Sequence, residues 1–217
     1  MTLEPVPGAF DGALRAILAE LAEASAARER ALPLCRSATR HAANCIRAAH
    51  RGDWDAAEAL LARSRLDAGA AADALRSFPG VYHAGFLHDA QKEYAEAAIT
   101  LALVRGRAVG TARELGVEGV AFLHGVAEAV GELRRHALDL LRADAVDAAE
   151  RALELMEELF GLLVEVDYPD ALTAGLRRAA DVARSLLERT RGDVTLAVQH
   201  RRLAARLLAA GAPDPAP

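Results

Sequence analysis

Apolar residues recur at intervals of three and four along almost the whole chain, and no segment alternates in the manner of a strand. This spacing gathers apolar side chains on one face of a helix, so it predicts about seven helices. Pro33 should kink or break the first helix, and Gly192 should separate the last two. The predicted helices cover residues 10–51, 54–78, 85–104, 118–143, 145–166, 171–191 and 194–210. We therefore expect one all-α domain over residues 1–217, with flexible tails at about 1–7 and 211–217.

Composition supports this expectation and narrows the functional classes. Hydrophobic residues make up 53% of the chain, aromatic residues only 4%, and the formal net charge is −5. The chain has no overall positive charge that would favour nucleic-acid binding, so that function would need a local basic face. Apolar runs are too short to span a membrane, which leads us to expect a cytoplasmic protein without membrane contact. Cys35 and Cys45 lie ~15 Å apart on one predicted helix, too far for a disulfide, and are interpreted as buried thiols.

A local basic face is present on the first helix. Four arginines, here called the arginine ridge, share one side of it along a line of ~22 Å. They are Arg36, Arg40, Arg47 and Arg51. No acidic residue lies among them. Two interpretations stay open, a phosphate-binding surface and an ordinary solvated helix face.

Carboxylates form a stripe on the helix predicted for residues 85–104. Asp89, Glu93 and Glu96 fall at positions i, i+4 and i+7, so the three side chains share one side of the helix. Most of the residues around them are apolar. Burying a carboxylate in apolar surroundings is costly unless a positive charge pairs with it. The stripe therefore predicts a cationic partner.

A second acidic helix offers that stripe a counterpart. Glu128 and Glu132 lie four residues apart, and Gly125 and Gly131 leave room for the close approach of another helix or a ligand. If the two helices face each other, their carboxylates need protons or a cation to remain close together. Ligands made only of oxygen favour Mg²⁺ or Mn²⁺ over zinc. The alternative is that the glutamates are surface residues, with Glu132 paired to a neighbouring arginine or histidine.

Three segments resemble a known family in the order in which that family carries them. HDAQKEYAEA, at His88–Ala97, resembles the QEYVEA helix of translin and translin-associated factor X (TRAX). FLHGVAEAVGELRR, at Phe122–Arg135, resembles the YLLGxADxxGELxR helix of that family. The segment Asp167–Val194 is similar to the C-terminal region of archaeal-type members. Together the three segments span most of the chain.

The resemblance implies an all-helical fold that assembles into a hollow, commonly octameric, homo-oligomer. TRAX-type members are magnesium-dependent endoribonucleases, and translin-type members bind single-stranded RNA or DNA without cleaving it. Residue by residue, the family's acidic site corresponds to Glu93, Glu96, Glu128 and Glu132. Glu93, Glu96 and Glu128 would bind the metal. Position 128 carries glutamate where the family motif has aspartate, which keeps the charge and adds one methylene.

Competing interpretations remain at this level. A ferritin-like di-metal protein would need Glu-x-x-His motifs, which the sequence lacks. A helical nucleotide pyrophosphohydrolase is matched only in the first half of its acidic pattern. The main rival is a translin-like protein that binds single-stranded RNA or DNA without catalysis. We expect a magnesium-dependent endoribonuclease acting on single-stranded RNA, with the arginine ridge contacting phosphates.

Overall fold

The computed structural model describes residues 10–211, and helices dominate them. Six helices have 19 residues or more, and three are single turns of four residues. They are α1 (Asp11–His50), α2 (Trp54–Leu75), α3 (Pro79–Tyr82), α4 (Phe86–Val104), α5 (Ala112–Leu115), α6 (Gly119–Arg142), α7 (Val146–Val164), α8 (Asp170–Thr173) and α9 (Leu176–Gly211). No strand occurs in residues 10–211, so the all-α prediction is confirmed. Apart from residue 211, the predicted flexible tails lie outside the described residues.

The contact between α4 and α6 joins the two halves of the molecule. Helices α1 and α2 form a hairpin, and α4 packs against both of them. On its other side α4 packs against α6, which also contacts α7 and α9. The acidic stripe of α4 and the glutamates of α6 therefore lie on neighbouring helices. This arrangement is what the proposed metal site requires.

Side-chain size differs between the two halves of the core. Between α1 and α2 the buried positions are mostly alanines, such as Ala31, Ala38 and Ala71, all without exposed surface. Small side chains let these helices approach closely. Between α6, α7 and α9 the core uses larger residues, including Leu133 and Met156. In both halves, the apolar residues that recur along the sequence form the buried face of each helix, which is why these segments fold as helices.

Helix α1 continues through Pro33, so the chain has no helix break there, which was one of the two predicted outcomes. A proline inside a helix removes one backbone hydrogen bond and costs ~3 kcal/mol. Ala31 and Cys35, on either side of Pro33, are both buried in the same cluster against α2. Packing on both sides thus holds the helix together across the proline.

The predicted break at Gly192 is also wrong, because α9 runs from Leu176 to Gly211 without interruption. Glycine inside a helix costs only ~1 kcal/mol relative to alanine. The Nη1 atom of Arg134 on α6 donates to Thr190 Oγ1 and to Asp193 Oδ2, each at 2.9 Å. These contacts fasten α9 to α6 on both sides of the glycine, so the helix continues.

Two boundaries also differ from the prediction. Helix α2 ends at Leu75, because Pro79 begins the short helix α3, a position that suits proline. The segment expected to start a long helix at residue 171 forms α8 instead, followed by a tight turn before α9. In that turn Ala174 and Gly175 have positive φ angles of 50° and 82°. Among residues 10–211, no helix has both the length and the hydrophobicity to cross a membrane.

Candidate metal centre

Three glutamates from two helices converge between α4 and α6. Glu93 and Glu96 come from α4, and Glu128 comes from α6. One carboxylate oxygen of each lies within 4.8 Å of the other two. Residues three apart on a helix are neighbours on its surface, which is why Glu93 and Glu96 point the same way. We call these three residues the acidic cluster. Asp89, the third carboxylate of the stripe predicted on this helix, does not belong to the cluster and is exposed at the start of α4.

A glycine sets the distance between the two helices at this point. A Cβ atom on Gly125 would lie 2.8 Å from Ala95 Cβ, 2.9 Å from Glu96 N and 3.1 Å from Lys92 O. Such distances are shorter than normal packing allows, so only glycine fits here without movement of the backbone. Glu128 lies one turn further along α6. The close approach at Gly125 therefore brings its carboxylate to those of α4.

Glu96 is the most buried member of the acidic cluster, with only 9% of its surface exposed. Burial raises its pKa from 4.5 to about 8, and the charges of Glu128, Glu93 and Glu132 add to the effect. A carboxylate ionises reluctantly when it is desolvated and surrounded by like charges. Near neutral pH the metal-free cluster therefore retains a proton. A bound cation would relieve the same repulsion.

One cation is already present in the acidic cluster. The Nζ atom of Lys92 lies 2.7 Å from Glu128 Oε1 and 3.3 Å from Glu93 Oε1. Burial lowers the pKa of Lys92, but the two carboxylates outweigh burial and the net pKa is raised. Lys92 is the only lysine in a chain that has 25 arginines. The basic residue in contact with the cluster is thus a compact ammonium rather than a planar guanidinium.

Glu132 has a different partner from the ones that sequence suggests. His50, the last residue of α1, donates from Nε2 to Glu132 Oε2 at 2.5 Å. The His50 side chain is only 4% exposed. This hydrogen bond is the main reason why the pKa of Glu132 is lowered, although burial opposes it. Glu132 is close enough to raise the pKa of Glu96, but it is not among the three carboxylates that converge.

A pocket of about 520 Å³ opens beside the acidic cluster. Glu96 and Glu128 line one side of it, and the first turns of α9 line the other. We call it the α9 pocket. Its other polar lining residues are His124 and Arg178. His124 donates from Nε2 to the carbonyl oxygen of Thr173 at 2.9 Å, which fixes the orientation of the ring. The cluster is therefore accessible to a ligand of moderate size.

The arginine ridge is exposed along its whole length. Within the ridge, Arg40 donates to Ser37 at 3.2 Å and Arg47 donates to Asn44 at 2.6 Å, both uncharged acceptors. In residues 10–211 no carboxylate forms an ion pair with any of the four guanidinium groups. His50 lies between Arg47 and Arg51 in sequence and contacts Glu132, so the ridge ends near the acidic helices. These cations are available to an external anion.

Comparison with known proteins gives this geometry a context. No protein-family model matches the sequence. An uncharacterized protein of Methanocaldococcus jannaschii is 30% identical over 189 residues, which cover 84% of this chain and 82% of the relative. The relative is therefore similar along most of its length, but its description states no activity.

Solved structures are more informative. The chain is 36% identical to AfC3PO in its complex with duplex RNA, with a TM-score of 0.81 over 87% of this chain and 97% of that one. A crystal structure of AfC3PO gives 36% identity and a TM-score of 0.80, covering 87% and 98%. The chain belongs to the translin/TRAX family. Apo-NeC3PO, at 18% identity and a TM-score of 0.75 over 90% of this chain and all of that one, shares the fold.

Within this translin/TRAX chain, the family motifs meet where the helices cross. The two glutamates of the QEYVEA-like segment, Glu93 and Glu96, converge with Glu128 of the second motif. The additional methylene of Glu128, relative to aspartate, does not keep its carboxylate out of the acidic cluster. Glu132 stands beside the cluster and is bonded to α1. The residues of the arginine ridge lie on α1 and at its C-cap, outside the acidic cluster and outside the lining of the α9 pocket.

Sequence reasoning missed three polar residues at this site. Lys92 carried a readable signal, since it lies four residues before Glu96 and so on the same side of α4. His50 carried none, because 82 residues separate it from Glu132. Arg178 is one of many arginines on amphipathic helices, and only the fold places it at the α9 pocket.

Proposed function

We propose that this protein is a metal-dependent endoribonuclease that cleaves single-stranded RNA and uses Mg²⁺, or Mn²⁺ in its place. One observation carries the proposal more than any other. Three carboxylates from two helices converge within 4.8 Å beside an open pocket, in a chain 36% identical to AfC3PO. Convergent carboxylates at a pocket are typical of sites that bind a divalent cation for phosphoryl chemistry.

The acidic cluster suits such an ion in both ligand type and charge. All its ligand atoms would be carboxylate oxygens, the type that Mg²⁺ and Mn²⁺ prefer. Oxygens bound to one Mg²⁺ lie at most ~4.2 Å apart, so small side-chain movements within the cluster would suffice. Three ionised carboxylates and the ammonium of Lys92 leave two negative charges, which a single divalent cation would neutralise.

Different residues of the chain would have different roles in hydrolysis. Glu93, Glu96 and Glu128 would hold the ion, which when bound would act as a Lewis acid that activates water and stabilises charge on phosphate oxygens. Glu132 stays ionised because His50 donates to it, and its second oxygen can accept a hydrogen bond from the attacking water. His50 therefore acts as a positioning residue for Glu132.

RNA would be bound through the arginine ridge. Its exposed guanidinium groups have no carboxylate partner among the described residues, and arginine forks match phosphate oxygens well. The AfC3PO complex contains duplex RNA, so we propose RNA as the ligand class here. Single-stranded RNA is the proposed substrate, with single-stranded DNA as a further ligand.

We also propose that the chain forms a large homo-oligomer, an octamer by family resemblance. The first half of α1 and the residue before it expose a row of apolar side chains, each more than half exposed: Phe10, Leu14, Ile17, Leu18 and Leu21. The last turns of α9 expose Leu203, Leu207 and Leu208. Contacts between copies would bury these surfaces. A stable monomer in light scattering at micromolar concentration would contradict the assembly.

We further propose a cytoplasmic location, because two free buried cysteines fit a reducing setting.

The second candidate is a protein that binds nucleic acid without cleaving it. Lys92 favours this candidate, because its ammonium already neutralises part of the acidic cluster. A cluster stabilised in this way could serve only to hold α4 against α6. The two candidates differ in one respect, which is whether RNA cleavage depends on a divalent cation.

Cleavage of labelled RNA by the purified protein distinguishes the candidates. Single-stranded and duplex RNA would be incubated with the wild type, Glu96→Gln and a control, Glu154→Gln, whose carboxylate is exposed on α7. We expect Mg²⁺-dependent cleavage of single-stranded RNA by the wild type and the control, and at least a hundredfold loss in Glu96→Gln with RNA binding retained. Equal cleavage by all three proteins would contradict the proposed site. Binding without cleavage by any of them would support the second candidate.

A further inference from the structure

The α9 pocket contains a basic group and apolar side chains that metal binding by the acidic cluster does not require. Its two sides have opposite character: Glu96 and Glu128 on one, and the guanidinium of Arg178 among apolar side chains on the other. A cavity of about 520 Å³ falls within the size range of small-ligand sites. The pocket is therefore large enough for one nucleotide unit.

Arg178 differs from the arginine beside it. Arg177 forms an ion pair with Asp167 at 3.2 Å. No carboxylate among the described residues pairs with Arg178, which is exposed and lines the α9 pocket. An arginine fork binds phosphate oxygens through parallel hydrogen bonds. Arg178 can therefore attract an anionic group into a pocket whose other charges are negative.

The remaining wall of the pocket is apolar. Ala179, Val182 and Leu186 project from successive turns of α9, and Ala127 faces them from α6. Apolar side chains of this kind suit a sugar or the face of a base, but they offer no hydrogen bonds to base edges. A ligand held here would be recognised by its phosphate and its shape.

These features select among ligand classes. A polyamine would be attracted by Glu96 and Glu128 but repelled by Arg178. A purely apolar ligand would cover charged groups without pairing them, which is costly. A nucleotide has an anionic phosphate for Arg178 and an apolar face for α9. Both features of the α9 side are then paired, and the acidic side is left to the proposed cation.

We propose that the α9 pocket is a nucleotide subsite, in which Arg178 binds an RNA phosphate next to the one at the acidic cluster, and α9 holds the attached nucleoside. This inference rests on the proposed nuclease function for the identity of the polymer. Arg178 would position the strand so that the neighbouring phosphodiester lies against the carboxylates. Because the wall lacks base-reading groups, the subsite accepts different bases.

Binding of adenosine 5′-monophosphate, with adenosine as the comparison, tests the subsite independently of cleavage. Calorimetric titrations in Mg²⁺ and in EDTA would use the wild type, Arg178→Met and the matched control Arg177→Met. A charge-assisted contact to phosphate predicts that Arg178→Met binds the monophosphate about tenfold more weakly than the wild type, while adenosine binding stays the same. Arg177→Met should bind both like the wild type.

A second pair of variants tests the apolar wall. Val182→Trp should fill the pocket and abolish binding of both ligands, whereas Val164→Trp, at an equally exposed valine on α7, should leave binding intact. Thermal unfolding would confirm that each variant folds. Equal monophosphate affinity in the two arginine variants, or no binding to the wild type at millimolar concentration, would overturn the subsite.

The binding titrations test the subsite, and the cleavage assay tests the nuclease function, so the two proposals can fail separately. Monophosphate binding that depends on Arg178, in a protein that cleaves no RNA, would support the subsite and reject the nuclease. Mg²⁺-dependent cleavage with unchanged monophosphate binding in Arg178→Met would reject the subsite alone.

Discussion

The ammonium of Lys92 lies 2.7 Å from Glu128 Oε1, across the contact between α4 and α6. The same nitrogen lies 3.3 Å from Glu93 Oε1. Two of the three carboxylates in the acidic cluster therefore already have a cationic partner from the chain itself. A divalent ion would have to compete with Lys92 for these oxygens.

Replacing Lys92 with methionine removes the competing charge while keeping a side chain of similar length. We expect Lys92→Met to bind Mn²⁺ about three- to tenfold more tightly than the wild type at pH 8, because repulsion between two cations is lost. Lys92→Arg keeps the charge and should not gain affinity. Electron paramagnetic resonance of free Mn²⁺ measures both constants. Weaker binding by Lys92→Met would show that the lysine supports the metal site rather than opposing it.

The buried carboxyl of Glu96 predicts a pH dependence of stability in metal-free protein. Its pKa is about 8 when folded and 4.5 ordinarily, so the folded state holds a proton that the unfolded state releases between these values. The stabilising contribution is complete below pH 4.5 and is lost as pH rises to about 8, by up to ~1.4 kcal/mol per pH unit. The groups around Glu96 are Glu93 and Lys92 on α4, and Glu128 and Glu132 on α6.

Urea unfolding in EDTA at a series of pH values measures this loss. Glu96→Gln cannot ionise and should show a flatter pH profile than the wild type, with higher stability at pH 8. The exposed control Glu154→Gln should keep the wild-type slope. Parallel profiles for all three proteins would mean that Glu96 titrates normally.

The arginine ridge predicts sequence-independent RNA binding. Arg40→Ala with Arg47→Ala should weaken binding of unrelated RNA sequences to the same degree and reduce the salt dependence of affinity by about two phosphate contacts. Arg63→Ala with Arg151→Ala removes the same charge from exposed positions on α2 and α7 and serves as the control. Filter binding over a range of salt concentrations gives both slopes. If the two double variants bind alike, the ridge is an ordinary solvated face.

Two glycines on α6 form a matched pair for the helix contact. Gly125→Ala would place a methyl group 2.8 Å from Ala95 Cβ, so we expect it to destabilise the fold by ~1–3 kcal/mol and to weaken Mn²⁺ binding. At Gly131 the nearest atom would be Leu186 Cδ1 at an ordinary 3.6 Å. Gly131→Ala should therefore be neutral or stabilising by up to ~1 kcal/mol, because alanine favours helices. Chemical unfolding distinguishes the two, and equal effects would contradict the close approach.

What the sequence reveals about this molecule depends on how far apart the interacting residues lie. Glu93 and Glu96 share a helix face by local spacing, and the family-like motif adds Glu128, so the acidic cluster could be predicted. The bond between His50 and Glu132 depends on how α1 meets α6, and no local pattern contains that information. The alternative interpretation of the sequence paired Glu132 with a neighbouring arginine or histidine, and it is wrong for the same reason.

Helix boundaries show the same limit. Pro33 and Gly192 both carry strong local signals for a helix end, and both signals are overridden by tertiary contacts. Buried alanine and cysteine flank Pro33, while Arg134 bonds on either side of Gly192. Local propensities of ~1–3 kcal/mol are smaller than the packing of several buried turns.

A single lysine also makes the protein unusually easy to observe. Reductive methylation with ¹³C-formaldehyde would place labels on the amine of Lys92 and on the N-terminal amine, and on no other side chain of the 217 residues. The Lys92 resonance would then report from within the acidic cluster itself. Entry of an ion or of a phosphate into the site could be followed in solution without altering one carboxylate.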